Sequence, residues 1–189
     1  MTKRDAVCEA ALELFAEKGI EATTTREIAE RAGAAEGTLY RHFSGKEDLA
    51  RWLYERCAEE LRERLSAAVD ATMPPRARLE ALVRGIFAFF AERPTSCTYL
   101  LAVQGGPDEE ESDPSRAPLV PFADVLRDGI EAGTFRPVSV PLAAGWIVAM
   151  VQRTVRYLKA GTLDVDEQAA IDRTVDAALR LVTDTGADA

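Results

Sequence analysis

Hydrogen-bond donors and cations are concentrated between residues 25 and 46, and their types suit contact with a nucleic acid. Thr25 offers a hydroxyl group beside the cation of Arg26, a combination that suits a phosphate. Arg41 can bind guanine through two hydrogen bonds, and the methyl group of Thr38 can contact the methyl group of thymine. The candidate DNA-contacting residues are Thr25, Arg26, Ala35, Glu36, Gly37, Thr38, Tyr40, Arg41, His42 and Lys46.

The surrounding residues predict two short helices that hold these side chains at a tight corner. Thr24 is expected to cap the first helix, because Glu27 lies three positions on and completes a capping box. Gly33 is expected to end that helix, since the corner needs a residue that tolerates positive φ and brings no side chain. A second capping box, from Ser44 to Glu47, predicts the start of the next helix.

The second helix of the pair is expected to present its polar side chains outward. Leu39 and Phe43 lie four positions apart and are predicted to point into the core, which leaves the polar residues between positions 36 and 42 on the outer face. On a helix inserted in the major groove, such positions supply contacts to bases and phosphates. The pattern therefore predicts a helix-turn-helix.

The run from Thr23 to Lys46 closely resembles the DNA-binding module of the TetR family of bacterial transcriptional repressors. The family pattern is present as TTREIAERAG, then GTLYRHF and then SGKEDL, and the resemblance covers residues 5 to 55. The family commonly has Val-Ser before the recognition helix, whereas this chain has Ala34-Ala35, so a hydroxyl cap with a typical value of about 1 kcal/mol is missing. The resemblance implies an all-α fold, with a three-helix DNA-binding domain over residues 1–46 and a helical bundle for ligand binding and dimerisation over residues 47–189.

The net charge of −9 is unusual for a protein that binds DNA, but its distribution accounts for most of the conflict. Residues 1–46 carry seven cations against eight acids, whereas the rest of the chain carries sixteen cations against twenty-four acids. Between Gly37 and Lys46 there are two cations and no acid. Attraction to phosphate depends on charges within about 10 Å at 0.1 M salt, so a distant acidic domain has little effect.

Composition places the chain among globular proteins that we expect in the cytoplasm, without a membrane partner. No apolar run reaches the roughly 18 residues of a membrane span, and the first fifteen residues lack the apolar stretch of a signal peptide. The three cysteines, Cys8, Cys57 and Cys97, are expected to be buried apolar side chains rather than redox sensors. With one histidine and no cysteine–histidine cluster, neither a metal nor a cofactor is expected.

Apolar periodicity predicts helices along most of the remaining chain. The first, Lys3–Lys18, is expected to bury Val7, Ala11, Leu14 and Phe15 and to end at Gly19. The others are predicted at Glu47–Ala71, Arg76–Glu92, Pro94–Val103, Leu119–Glu131, Leu142–Ala160 and Asp166–Asp184. The segment Gly105–Pro118, with acids at every position from Asp108 to Glu111, is predicted to be an exposed loop.

Two sets of residues in the predicted bundle are candidates for binding. The resemblance implies an apolar ligand cavity, although aromatic residues on bundle helices are also typical of ordinary core packing. The helix Leu142–Ala160 is apolar on two faces, so one face is expected to pair with a second copy of the chain, together with the last helix. The candidate ligand residues are Phe87, Phe90, Tyr99, Gln104, Phe122, Trp146, Met150 and Arg153, and the candidate interface residues are Ile147, Val151, Val155, Ile171, Thr174, Val175 and Ala178.

Together, the motif and the resemblance imply a ligand-responsive repressor that binds a palindromic operator as a homodimer. The expected partners are double-stranded operator DNA, a second copy of the chain, and a small apolar or aromatic inducer that releases the DNA. The alternative is a helical module that binds small molecules or proteins and whose DNA binding does not depend on a ligand. An enzyme is not expected, because no nucleophile near His42 is held by a base and a carboxylate.

Overall fold

The computed structural model describes residues 2–103 and 120–183, and these ranges form helices joined by short turns, which confirms the all-α prediction. Gln104 and the predicted acidic loop Gly105–Pro118 lie outside the described residues. The helices are α1 (Lys3–Lys18), α2 (Thr25–Arg31), α3 (Gly37–Tyr40), α4 (Lys46–Ala67), α5 (Pro75–Glu92), α6 (Pro94–Ala102), α7 (Val120–Glu131), α8 (Val140–Ala160) and α9 (Glu167–Val182).

The described residues divide into two compact units. Unit 1 contains residues 2–60 and 93–103, and unit 2 contains residues 61–92 and 120–183. The chain therefore leaves unit 1 within α4 and returns to it for α6. The predicted functional boundary at residues 46 and 47 stays a prediction, because the compact units are defined by packing and the division within α4 falls after Glu60.

Unit 1 is built around the apolar face of α1. Val7, Ala11, Leu14 and Phe15 are buried as the periodicity predicts, and α1 packs against α2, α3 and α6. The helix ends at Gly19, whose φ of +86° is accessible to glycine at little cost and whose N–H donates to the carbonyl of Phe15. These contacts give the two short helices of the motif an apolar support.

Helix α6 is fastened inside unit 1 by Tyr99. The tyrosine ring is fully buried and stacks on Phe15 with 5.9 Å between centroids. Its hydroxyl donates to the backbone carbonyl of Ala50 in α4 at 2.7 Å, so the buried polar group is satisfied. Burial raises the pKa of Tyr99, which keeps the hydroxyl protonated as the donor. This arrangement ties α1, α4 and α6 together.

Unit 2 has its own core, in which α5 packs against α7, α8 and α9. The largest completely buried side chains of this unit come from four helices: Leu65 of α4, Leu79, Leu82 and Phe89 of α5, Phe122 and Leu126 of α7, and Ile147 of α8. Arg78 of α5 pairs with Asp128 of α7 at 2.8 Å, and its guanidinium is largely buried. None of the helices in the described ranges combines the length and the apolar character needed to cross a lipid bilayer.

Helix α4 is shorter than the sequence predicts, ending at Ala67 rather than near Ala71. The reason is local competition at Asp70, whose carboxylate accepts the N–H of Thr72 at 2.7 Å. The backbone carbonyl of Asp70 accepts the N–H of Met73 at 3.0 Å, which closes a turn before the two prolines. Aspartate commonly binds the backbone two residues on, and so favours turns over helix interiors.

Candidate nucleic-acid interface

The start of α2 is held by the predicted capping box. The hydroxyl of Thr24 accepts the N–H of Glu27 at 3.2 Å, and the Glu27 carboxylate accepts the N–H of Thr24 at 2.9 Å. Lys18 at the end of α1 also donates to Glu27, at 2.6 Å. Glu27 therefore fixes the first turn of α2 and links it to the preceding helix, as its place in the motif requires.

The ionised form of Glu27 is favoured, and this makes the motif sensitive to acid. Hydrogen bonds from Lys18 and Thr24 lower the pKa of Glu27 from 4.5 to about 2. A carboxylate whose pKa is lower in the folded state stabilises the fold above pH 4.5, and that contribution is lost as the pH falls toward 2.

We therefore expect the helical signal of the wild-type chain to show an acid transition to which Glu27→Gln is less sensitive. Thermal unfolding followed by circular dichroism between pH 7 and pH 2 measures this difference. The variant should be the less stable protein at pH 7, and the gap should shrink at low pH. A gap of constant size would show that the ionised carboxylate of Glu27 contributes nothing specific.

Helices α2 and α3 are joined by a chain of polar contacts. The hydroxyl of Thr25 donates to the Glu36 carboxylate at 2.7 Å, and the hydroxyl of Tyr40 lies 3.5 Å from that of Thr25. Glu36, the one acid among the candidate contacts, is thereby held on a donor of the protein. The network positions the two helices relative to each other. It also explains why a carboxylate, that of Glu36, is present on a surface proposed to contact phosphate: it binds the hydroxyl of Thr25.

Helix α3 is short and has no side-chain cap, consistent with the loss of a hydroxyl at Ala35. Its N-cap residue is Glu36, which makes no capping bond, and Ala35 contributes only its backbone carbonyl, 2.8 Å from the N–H of Thr38. Gly33 takes the positive φ that the corner requires, +59°, as predicted. The corner and the lengths of both helices match a helix-turn-helix.

Most of the predicted recognition face points outward. Leu39 and Phe43 are buried as predicted, whereas Tyr40 is 55% exposed and Arg41 and His42 are also exposed. Thr38 is the exception, because it is only 3% exposed and the guanidinium of Arg41 lies 3.5 Å from its hydroxyl. The prediction that Thr38 faces outward is wrong, because this side chain is packed in the first turn of α3.

The N-terminus of α4 differs from the predicted capping box. Asp48, rather than Glu47, accepts the N–H and the hydroxyl of Ser44, at 2.9 and 3.2 Å. The carboxylate four residues after Ser44, and not the one three residues after it, therefore closes the first turn of α4. The prediction that α4 begins near Lys46 is confirmed.

Lys46 lies at this helix start and is already partly engaged. Its Nζ donates to the backbone carbonyls of Ile20 and Glu21, at 3.1 and 3.3 Å, just beyond the end of α1. The carboxylate of Glu47 lies 3.9 Å from the same Nζ, which is an ion pair but longer than a hydrogen bond. An ammonium group has three donors, so the third is the one that could bind a phosphate.

Replacing Lys46 with alanine is expected to have two effects. Two charge-assisted hydrogen bonds to the turn that follows α1 are lost, which should lower stability by about 1 to 2 kcal/mol. The slope of log affinity for DNA against log salt should become shallower by about one if the third donor binds phosphate. Thermal unfolding and a salt titration of DNA binding measure the two effects separately. A stability loss without a change of slope would assign Lys46 to the fold alone.

The candidate ligand residues do not converge on one site. Phe87 and Phe122 are buried in unit 2, and Phe90 and Met150 are half-buried there. Tyr99 belongs to the core of unit 1, so its assignment to a cavity of the bundle is wrong. Of the remaining candidate ligand residues, Trp146 and Arg153 are exposed on α8, and Gln104 lies outside the described residues.

Most of the candidate interface residues face the core of their own unit and not the solvent. Six of the seven, namely Ile147, Val151, Val155, Thr174, Val175 and Ala178, are buried within unit 2, and Ile171 is half-buried. Helix α8 packs against α5, α7 and α9 through the apolar face that was predicted to pair with a second copy of the chain. The other face, which carries Leu142 and Trp146, is the exposed one.

Known proteins share both the motif and the whole fold. The sequence profile of the bacterial regulatory proteins of the tetR family matches residues 7–52. The HTH-type transcriptional repressor KstR2 of Mycobacterium tuberculosis (strain H37Rv) is 31% identical over 169 residues, which span 85% of this chain and 83% of that protein. The HTH-type transcriptional activator FasR of Mycolicibacterium smegmatis is 29% identical over 184 residues, with 92% and 80% covered.

Solved structures share the helical arrangement. The crystal structure of a tetR family transcription regulator from Shewanella sp. PV-4 has a TM-score of 0.82 to this chain at 23% identity, and covers 96% of this chain and 98% of its own. Proteins of this family are transcriptional regulators and not enzymes. The capping box, the glycine corner and the exposed face of α3 thus occur in a chain whose relatives match it over most of its length, and the chain belongs to the TetR family of bacterial transcriptional regulators.

Proposed function

We propose that this regulator is a ligand-responsive repressor that binds a palindromic operator as a homodimer. The observation that carries the proposal is the distribution of exposed apolar side chains. In the described ranges, four large apolar residues are substantially exposed: Tyr40 at 55%, Leu142 at 54%, Trp146 at 52% and Tyr157 at 44%. Tyr40 lies on the recognition helix and the other three lie on α8, so the exposed apolar surface marks a DNA contact and a protein contact.

The exposed residues of α8 form one stripe along the helix. Leu142, Trp146, Arg153 and Tyr157 recur at intervals of four, seven and four residues, which keeps them on one face. The guanidinium of Arg153 lies over the ring of Tyr157, 5.7 Å from its centroid. Gly145, at the edge of this stripe, is exposed and has open space where a side chain would be, which allows a second helix to approach closely.

We propose that two copies of the chain pair through this stripe, so that one homodimer binds both halves of an operator. Two copies present two α3 helices, and a palindromic site places its half-sites about 34 to 36 Å apart, or a multiple of that distance. The candidate base contact is Arg41, and the candidate phosphate contacts are Thr25, Arg26, Tyr40, His42 and Lys46. The candidate positions Ala35 and Gly37 are exposed and small, so the backbone of this segment is open to a close approach.

For the ligand, we propose a small apolar or aromatic inducer bound in unit 2. The support is the apolar interior contributed by Phe87 and Phe122, with the half-buried Phe90 and Met150 beside the core residues. Release of DNA from 99:1 to 1:99 requires a difference in ligand affinity between the two states of about 5.5 kcal/mol, summed over both copies. The repressor named among the relatives supports repression, and the activator makes the direction of control a point for experiment.

Selection of operators from random duplex DNA, followed by sedimentation of the complex, tests this proposal. We expect the selected sequences to be inverted repeats bound by an even number of chains. A reporter gene behind the selected operator gives the direction of control, and mass spectrometry of molecules that co-purify with the chain identifies the inducer. A monomer that enriches no inverted repeat would overturn the repressor proposal, and DNA binding that no co-purified molecule alters would favour the ligand-independent alternative.

A further inference from the structure

Two arginines stack on one indole ring beside the recognition segment. The guanidinium carbon of Arg4 lies 4.5 Å from the ring centroid of Trp52, and that of Arg56 lies 4.8 Å from the same centroid. Arg4 also lies 5.6 Å from the ring of Phe43, which is 5.5 Å from the Trp52 ring. We call Arg4, Phe43, Trp52 and Arg56 the tryptophan cluster.

The cluster adjoins residues that are already candidates for DNA contact. Phe43 directly follows His42, and the two rings are in edge contact with 6.5 Å between centroids. Arg4 in the first turn of α1 is thus separated from the end of the recognition segment by one aromatic ring. Its place in the sequence, some twenty residues before the motif, gave no signal of this proximity, which only the packing of α1 reveals.

The two arginines of the cluster are not fixed by carboxylates, although the charge of Arg4 adds to the hydrogen bonds with Thr2 in lowering the pKa of the neighbouring Asp5. Among the described residues, neither Arg4 nor Arg56 forms an ion pair, and Asp5 beside Arg4 is engaged with the N–H of Thr2 at 2.8 Å. In the described part of unit 1, Lys3 and Arg41 also lack an ion pair, whereas the other cations have carboxylate partners: Lys18 with Glu27, Arg26 with Glu30, Arg31 with Glu13 and Glu17, Lys46 with Glu47, Arg51 with Asp48, and Arg93 with Glu60.

Two like charges close to one ring repel each other, and an anion that binds between or beside them reduces this repulsion. The attraction of a cation to an indole face is worth about 0.5 to 1 kcal/mol at an exposed position, which holds the guanidinium but does not neutralise it. Burial raises the pKa of the Cys8 thiol; the charges of Arg4 and Arg56 oppose this rise and Asp5 adds to it, so both arginines act on the same region of the unit. A site with this field attracts anions.

We propose that Arg4 binds a DNA phosphate beside the recognition helix, with Trp52 as its platform and Arg56 as a supporting cation. This inference rests on the proposed binding of DNA by α3. A guanidinium that stacks by its face keeps its N–H groups free at the edge, and two of them match two phosphate oxygens. Because stacking already restricts the side chain, less conformational entropy is lost on binding than for a free arginine.

The competing explanation is that Arg4 only covers the rings of Phe43 and Trp52. In that case its loss lowers stability and leaves the electrostatics of DNA binding unchanged. The number of phosphates contacted sets the salt dependence of binding, since each neutralised phosphate adds about 0.9 to the slope of log affinity against log salt. The salt slope therefore separates a phosphate contact from a structural role.

The experiment titrates a duplex of random sequence, about three helical turns long, with the full-length chain at several potassium chloride concentrations. We expect Arg4→Gln to weaken binding about tenfold at low salt and to reduce the slope by about one. Arg93→Gln is the matched control, because it removes the same charge from unit 1 at a site already paired with Glu60 at 3.0 Å. It should leave the slope unchanged.

Arg4→Lys keeps the charge and should restore most of the slope, even if Arg4→Gln proves too unstable to measure. An unchanged slope in Arg4→Gln, or equal changes in Arg4→Gln and Arg93→Gln, would overturn the assignment of Arg4. Failure of the wild-type chain to bind any duplex would instead remove the proposed function on which the inference rests.

Discussion

Replacing Trp146 with glutamate is expected to leave a folded monomer whose affinity for a palindromic operator has fallen by about a hundredfold or more. The side chain is half exposed on α8, so the substitution does not disturb the core of unit 2. In a twofold interface each substitution appears twice, and each buried carboxylate without a partner costs several kcal/mol. A hundredfold loss corresponds to about 2.7 kcal/mol, well within that penalty.

Sedimentation velocity and operator titration measure the two consequences of Trp146→Glu. Ala88→Glu is the matched control, because it adds the same charge at an exposed position of α5 in the same unit. It should remain a dimer with unchanged affinity. Ile147→Glu serves as a contrast, since Ile147 is completely buried, and this variant should unfold rather than dissociate. A Trp146→Glu protein that stays dimeric would place the interface elsewhere.

Replacing Gly129 with alanine is expected to destabilise unit 2 by about 3 kcal/mol, a large effect for one methyl group. A side-chain carbon at this position would lie 2.0 Å from Cδ2 and 2.3 Å from Cε2 of Phe135, far inside van der Waals contact. The ring has little freedom to move, because Phe135 is buried and its N–H donates to the carbonyl of Gly129 at 2.9 Å. Chemical denaturation of the purified variant measures the loss.

A double-mutant cycle with Phe135 tests the cause of this loss. Phe135→Ala alone should cost about 3 to 5 kcal/mol, because it empties a filled site in the core. Adding Gly129→Ala to that variant should cost little or even stabilise it, since alanine favours a helix over glycine by about 1 kcal/mol. Additive losses would show that contact with the ring is not the source of the effect.

Residues whose roles depend on their sequence neighbours were predictable. The Thr24–Glu27 capping box and the glycines at 19 and 33 appear in the structure as expected, because a cap or a positive φ is a requirement of a few consecutive residues. The spacing of Leu39 and Phe43 likewise gave the buried side of α3. Two local predictions were wrong: Asp48 and not Glu47 binds the N–H of Ser44, and the turn at Asp70 ends α4 earlier than expected.

Residues whose roles depend on packing between helices were not predictable in the same way. Helix α8 has two apolar faces, and periodicity alone does not say which one the chain's own core takes. Ile147, predicted at the interface, is therefore buried in unit 2, and Trp146, predicted in a cavity, is exposed. Tyr99 is of a residue type common in ligand cavities, but it packs in the core of unit 1. Thr38 is polar but buried. Each case required knowledge of which helices meet.

The return of the chain to unit 1 through α6 limits how the proposed DNA-binding part can be transferred to another protein. A fragment that stops after residue 60 lacks the tyrosine ring that covers Phe15 and the donor that satisfies the carbonyl of Ala50. Hybrid regulators made by joining this N-terminal part to a foreign sensor at one junction would inherit an uncovered apolar patch. A functional hybrid therefore needs residues 93–103 as a second insert, so that the segments before residue 60 and after residue 93 are exchanged together.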